Sequence, residues 1–551
     1  MSGIDQMRYL VTVALCLLAA ACGDDSGRTK VDTMLVNGKV LTLDHKGGVA
    51  SVVVVDDGRI VAVGGEELVE AYEAQHVTDL QSRLLLPGFV DSHTHIRGEP
   101  KRYIDLTQTR SIRELQRLVT EKAGELGPGE WITGYGWSED VMAELRRPLR
   151  ADLDAAAPEN PVYLLRAGGH SATANSRALE IAGVDGDTPD PDGGLIERDS
   201  AGELNGIIRE PGDIVSRFIP EASNDEVRES LVGMLEDQLG YGITSLVHAT
   251  GTIADYPEWE RIYREHAGRL PRATVQLAWE GSEAMAAFGK RTGDGDAFLK
   301  VGAVKIFVDG GFTGPAAYTK EPYRGEADYR GKLNLTVEEL RRVISEAHAA
   351  GWQLGIHAIG DAAIELTVDE LATALKNAPR PDHRHYLNHF TVMPSTETML
   401  TMAENEISIT QQPNFTCTLE GRYVEYLDGE RLQHNNPLRT PMDLGIQVAI
   451  SSDILPIGPM VGIQAAVTRK GMSGQVYEKE EALTVVEALR AYTALGAWLT
   501  FDERQTGTIE PGKFADMIVL DQDITSGHPD HIVNTRVLQT WLGGKLVYQR
   551  Q

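Results

Sequence analysis

The chain has 551 residues, 42% of them hydrophobic and 24% charged, with 52 Lys+Arg against 81 Asp+Glu and a formal net charge of −29. An average apolar share excludes intrinsic disorder, and the acidic surplus opposes nucleic acid and anionic lipid as partners. Three cysteines cannot frame a chain this long, so a large, acidic globular enzyme or ligand-binding protein remains.

In chain order, Arg8 precedes an apolar run from Leu10 to Ala21 that is too short to span a bilayer and ends in three alanines before Cys22. The layout resembles a bacterial lipoprotein signal. It implies a leader at 1–21, a lipid anchor on Cys22, a solvated tether at 22–32, and a protein exported to the periplasmic or cell-surface side of a bacterial membrane. An ordinary cleaved signal or a buried helix is the competing reading. Cys16 leaves with the leader, and Cys417 is expected as a buried thiol.

Residues 33–41 and 51–63 are β-branched runs with Asn37-Gly38 and Asp57-Gly58 as hairpin turns, and 515–523 and 537–549 repeat the pattern around Gly543-Gly544. Strands at both ends of the chain predict one small composite β-sandwich, 33–85 plus 505–551. Between them, candidate strands lie at Leu84–Val90, Ile243–His248, Ala273–Ala278, Ala303–Val308, Gln353–His357, Tyr386–Phe390, Ile407–Gln411 and Gln447–Ser451. Helical stretches such as 337–351 and 364–378 alternate with them. This α/β order predicts a (β/α)8 TIM-type barrel over 86–504, and the stretch from about 98 to 230 is too long for a loop, so it reads as an inserted subdomain.

Chemistry-bearing side chains recur at the C-terminal ends of those strands, where parallel barrels place functional groups. In PGFVDSHTH (87–95), His93 and His95 stand at i and i+2 and aim two imidazoles the same way. Lys305 lies in a strand that otherwise reads as buried, where an unpaired ammonium is costly. His357, His389 and Asp453 end three further strands. Each alone has a bland structural reading, a satisfied histidine or a helix cap; the recurrence argues for a site.

These residues, with WITGYGW (131–137), RAGGHSATANSRAL (166–179), GLIERDSAGELNGIIRE (194–210), VKIFVDGG (304–311), HAIGDAAI (357–364), SSDILP (451–456) and TGTIEPGKFADMIVLD (506–521), make the chain resemble the amidohydrolase superfamily. The nearest likeness is to its amidohydrolase 3 subgroup, which includes N-substituted formamide deformylases. The resemblance implies two divalent metal ions, zinc suiting the donors while manganese, iron or cobalt could also fit. His93, His95 and Asp453 would hold one ion, His357 and His389 the other, and Lys305, carboxylated by CO2, would bridge them. It further implies hydrolysis of a C–N bond in a small amide, formamide or cyclic amide, with Asp453 shuttling the proton. His248 is a candidate for polarising the carbonyl, and His170 for reaching the substrate. Trp137 could wall the pocket but is read first as core, Glu210 and Asp309 could orient ligands, and Asp361 reads as a helix cap. Many relatives carry Glu where this chain has Asn388.

Two other readings compete. A mononuclear deaminase or imidazolonepropionase-like enzyme would commonly have Glu three residues after the strand-five histidine; here that position is Gly360. The other is a lipid-anchored binding protein that has lost activity, which the full set of six candidate ligands opposes.

Overall fold

The structure, a computed structural model, describes residues 28–551 except 97, 108, 140, 141, 168–170, 192, 193, 313 and 454–457. The expected leader, Cys22 and His170 lie outside the described residues. Among the described residues no helix is long and apolar enough to cross a membrane.

A parallel sheet of eight strands forms the barrel wall: β1 (Phe89–Thr94), β2 (Ile243–Gly251), β3 (Arg272–Ala278), β4 (Leu299–Phe307), β5 (Leu354–Ala358), β6 (Tyr386–His389), β7 (Ser408–Gln411) and β8 (Val448–Ile450). Each pairs with the next in sequence. The seam between β8 and β1 is drawn together just past the last strand, where the Asp453 N–H donates to the His93 carbonyl at 2.9 Å and Thr94 bridges Asp453. Helices pack outside the wall, several with capped starts. Thr336 and Glu339 form a capping box at the head of Val337–Ala349, satisfying N–H groups that the first turn leaves orphaned. Asp361 is the first helical residue of Asp361–Asn377 rather than its cap, and its carboxylate accepts the Lys320 N–H at 2.9 Å.

The expected first strand, 84–90, divides into two. Leu84–Pro87 pairs antiparallel with Met517–Leu520 in a sheet that also holds Lys39–Leu41, Val49–Ala50, Val537–Leu542 and Lys545–Gln549. After it, Phe89 begins the barrel. The switch falls at Pro87-Gly88 because Pro87 has no N–H for a ladder, and a Cβ on Gly88 would sit 2.1 Å from the Thr244 hydroxyl. A second sheet orders Arg59–Gly64, Val52–Asp56, Thr29–Val36 and Tyr72–Asp79. Its strand Thr29–Val36 starts inside the stretch read as tether. The turn at Asn37-Gly38 is not a hairpin: it passes the chain from one sheet to the other. Asp57-Gly58 and Gly543-Gly544 do close hairpins, all four residues at positive φ as such turns require.

Between β1 and β2 the chain builds a sheet of six strands ordered Leu195–Arg198, Leu204–Arg209, Ser171–Ala174, Val162–Arg166, Ile132–Trp137 and Tyr103–Asp105. Trp137 is fully buried in this unit and donates its indole N–H to the Leu164 carbonyl, which makes it core rather than pocket wall. Glu210 is exposed at the end of Leu204–Arg209.

Two polar devices lie away from the mouth. Arg272, at the start of β3, forks onto Asp516 at 2.7 and 3.1 Å, donates to the Ala297 carbonyl, and lies over the Phe514 ring at 4.0 Å. This buried pair joins the barrel to the C-terminal strands. Removing one partner strands the other charge, so Asp516→Ala should cost roughly 3–5 kcal/mol, read as a lowered denaturant midpoint. The second device is a chain of three neutral histidines. The His385 N–H donates to His383 Nδ1, the Leu354 N–H to His385 Nδ1, and His385 Nε2–H to His348 Nδ1. Every remaining ring N–H then meets a carbonyl, of Asn405 or Ala378. A proton added to any ring would face another donor. Burial pushes His383 from its ordinary 6.5 down to about 4, and His385 well below its ordinary value. The unfolded chain therefore binds more protons between those limits, and stability should decline as pH falls from about 6.5 towards 4. Thermal melts across that range should show a shallower decline for His383→Gln.

Candidate metal centre

His93, His95, His389 and Asp453 converge where β1, β6 and β8 end. His93 Nε2 stands 3.8 Å and His95 Nε2 3.1 Å from the same oxygen, Asp453 Oδ1. One donor atom each from His93, His389 and Asp453 falls within 4.8 Å of the others. The His357 ring lies 4.4 Å from that of His389, and the His93 ring 5.0 Å from it. His389 and Asp453 hold φ values of 79° and 59°, sparsely populated for residues with a Cβ and costing about 1–3 kcal/mol each. The strain turns both side chains back over the mouth.

Side chains behind the rings decide which nitrogen faces the cluster. The Asn388 amide oxygen accepts from His93 Nδ1 at 2.8 Å, and the Gln412 amide oxygen from His389 Nδ1 at 2.7 Å. An amide oxygen can only accept, so in both rings Nδ1 carries the proton and Nε2 keeps its lone pair. Thr250 Oγ1 sits 3.2 Å from His95 Nδ1. Burial pushes His93 and His389 well below the ordinary imidazole range and His357 down to about 3, so all three rings are neutral at working pH. Burial likewise lowers the Lys305 ammonium to about 7 against the opposing pull of Asp453.

His93 Nε2, His357 Nε2, Lys305 Nζ and Asp453 Oδ1 are buried and make no hydrogen bond. Native interiors rarely leave such atoms unsatisfied, and here four of them belong to the same constellation. Divalent cations would take up the lone pairs of the two imidazole nitrogens and the carboxylate oxygen, a donor set that suits zinc-like ions. The residues present fit the metals that the sequence implies.

The remaining candidates separate. Asp309 is buried beside the cluster: Oδ1 lies 3.5 Å from His357 Nε2 while the carboxylate accepts the N–H groups of Ile359, Gly360 and Tyr318. Burial raises it to about 7 against those bonds. His248 lies beside Trp259. Its ring stacks on Trp259 at 4.9 Å, its Nδ1 accepts from the Ile96 N–H, and it lines a cavity of about 530 Å³ with Arg228, Glu258 and Trp259. The β2 ladder shifts register on either side of His248, and such bulges re-aim a side chain. Gln412 and Thr250 escaped the sequence reading; the only signal for Gln412 was a polar pair, Gln411-Gln412, ending an apolar strand.

A parallel α/β barrel carrying His, Lys and Asp at its strand ends defines a metal-dependent hydrolase class. The chain belongs to the amidohydrolase family, whose profile matches residues 76–548. It is 30% identical to YtcJ of Bacillus subtilis (strain 168), an amidohydrolase by name, over 93% of this chain and 98% of that one. It is 29% identical to the N-substituted formamide deformylase of Arthrobacter pascens, over 94% and 98%. An uncharacterized metal-dependent hydrolase from Pyrococcus horikoshii superposes with a TM-score of 0.71 at 25% identity, covering 91% of this chain and 99% of that one.

If Asn388 holds the tautomer of His93, Asn388→Leu should weaken metal binding by about 10- to 100-fold while the fold persists. Chelator competition measures the affinity, and circular dichroism the fold.

Proposed function

We propose that this protein hydrolyses a C–N bond of an amide, formamide or cyclic amide at the cluster, with Asp453 as the proton carrier. The observation that carries the reading is the set of buried donor atoms without protein partners around Asp453 Oδ1. Two divalent cations, held by His93, His95, His357, His389 and Asp453, would supply an acidified water and an electrophile for the carbonyl oxygen. Asp453 reaches two imidazoles at one oxygen and stands at the mouth, so it touches both water and substrate. It takes a proton from the attacking water as the new C–O bond forms, then passes that proton to the nitrogen as the C–N bond breaks. An amine leaves poorly without that proton. The neutral imidazoles of His93, His357 and His389 cannot compete as bases, because their lone pairs serve as ligands and burial resists their protonation.

Lys305 fits a second role. A buried amine lowered to about 7 is substantially uncharged at neutral pH and so nucleophilic towards CO2. Addition of the amine to CO2 with loss of one proton would give a carbamate anion, which would remove the unpaired ammonium and supply an anionic oxygen donor to the metals. The formamide deformylase relative supports the substrate class through its name.

Four measurements test the reading. Elemental analysis should find about two ions per chain and intact-mass analysis about 44 Da on Lys305; no bound metal would leave a binding protein as the better account. A screen of N-acyl, N-formyl and cyclic amides should identify a substrate. Asp453→Asn should then lower kcat by at least about 100-fold with the fold retained, and preserved turnover would remove Asp453 from the mechanism.

A further inference from the structure

At the end of β4, Lys305 and Phe307 share one side while Ile306 faces the surrounding core, the ladder with β5 being in register there. Ile306 and Val308 are 4% and 1% exposed, and Lys305 and Asp309 are 4% and 1% exposed. Phe307, between those two, is 43% exposed. Every other residue of β4 is buried or half-buried, so the one large apolar surface the strand offers to water is this ring. It borders the cluster directly: Lys305 Nζ lies 4.8 Å from its centroid, and the His357 ring lies 5.4 Å away, tilted by 41°. Lys305 Nζ thus sits over the ring and His357 beside it, while 43% of Phe307 stays exposed.

We infer that Phe307 is a specificity-determining residue that receives a neutral aryl substituent of the substrate; the inference rests on the C–N hydrolase reading. A carbonyl engaged at the cluster leaves a ring one or two bonds away within the 4.5–7 Å at which aromatic pairs stack or meet edge to face. Covering the Phe307 face removes apolar surface from both partners. A methyl group in the same place covers far less of it. The preferred substrates are therefore amides bearing an aryl group on the acyl or amine side next to the scissile bond, ahead of small alkyl amides.

The test uses two metal-chelating probes that differ only in that group, benzohydroxamate and acetohydroxamate, titrated calorimetrically into the zinc-loaded protein. Wild type should bind the aryl probe about five- to tenfold more tightly. In Phe307→Ala that ratio should fall towards 1, and in Phe307→Leu it should be intermediate, with thermal melts confirming that both variants fold. Kinetically, the KM ratio between N-methylacetamide and N-phenylacetamide should contract in the same order. Equal binding of the two probes by wild type, or a preference that survives Phe307→Ala, overturns the role of Phe307 and leaves the hydrolase reading standing. Failure of both hydroxamates to bind overturns the hydrolase reading and this inference with it.

Discussion

The backbone hydrogen bond from Asp453 to the His93 carbonyl draws the first and last strands of the barrel together, and the site exists only because that seam meets there. Asp453 and His93 are 360 positions apart in the chain, yet the bond sets their side chains facing one point. Asp91 reinforces the seam: its buried carboxylate accepts the Ser452 N–H at 3.0 Å and approaches the His93 N–H at 3.4 Å. One carboxylate thus grips the backbone next to each ligand. The positive φ at Asp453 belongs to the same arrangement, because an extended residue there would carry its side chain along the strand rather than over the mouth.

Around that seam the electrostatics are arranged for cations. A lysine and three imidazoles share one buried volume, where burial first and their mutual repulsion next disfavour protonation, while Asp453 pulls the Lys305 ammonium the other way. Asn388 and Gln412 accept the Nδ1 protons without bringing a formal charge, and each of these bonds favours the protonated ring only weakly against the burial that disfavours it. A carboxylate at either position would stabilise imidazolium and weaken the ligand when the metal is absent. The neutral amides hold the tautomer without that competition. The departure at Asn388 is therefore chemically coherent with a metal site, whatever it changes for the substrate.

Much of this was legible in the sequence because it rests on local patterns. Alternating apolar strands and helices gave the barrel, and His93, His95, Lys305, His357, His389 and Asp453 were visible as polar residues closing apolar runs. What escaped depended on distant pairing. Nothing local tells that Leu84–Pro87 pairs with Met517–Leu520 while Phe89 pairs with the β2 ladder; the partner switch at Gly88 follows from Thr244, far along the chain. Asn37-Gly38 has hairpin chemistry, but the strands that flank it belong to two sheets. Gln412 acts on His389 through a contact between neighbouring strands, and the polar pair Gln411-Gln412 does not by itself say which ring it meets.

His248 and Phe307 show what the position at a strand end does and does not decide. Both lie near the C-terminal ends of barrel strands, and by that criterion the histidine was the better candidate. In β2, however, register shifts flank His248, and its ring stacks on Trp259 and accepts the Ile96 N–H. Through the end of β4 the strand keeps its ladder with β5 in register, from Val304 opposite Leu354 to Phe307 opposite His357. Alternation therefore survives to the last residue, and Phe307 inherits the side of Lys305. An unbroken ladder transmits the side-chain parity of a buried ligand outward to the mouth, whereas a bulge erases it. The residue two beyond a buried ligand on a regular strand is thus a stronger candidate for substrate contact than a more reactive residue beyond a bulge.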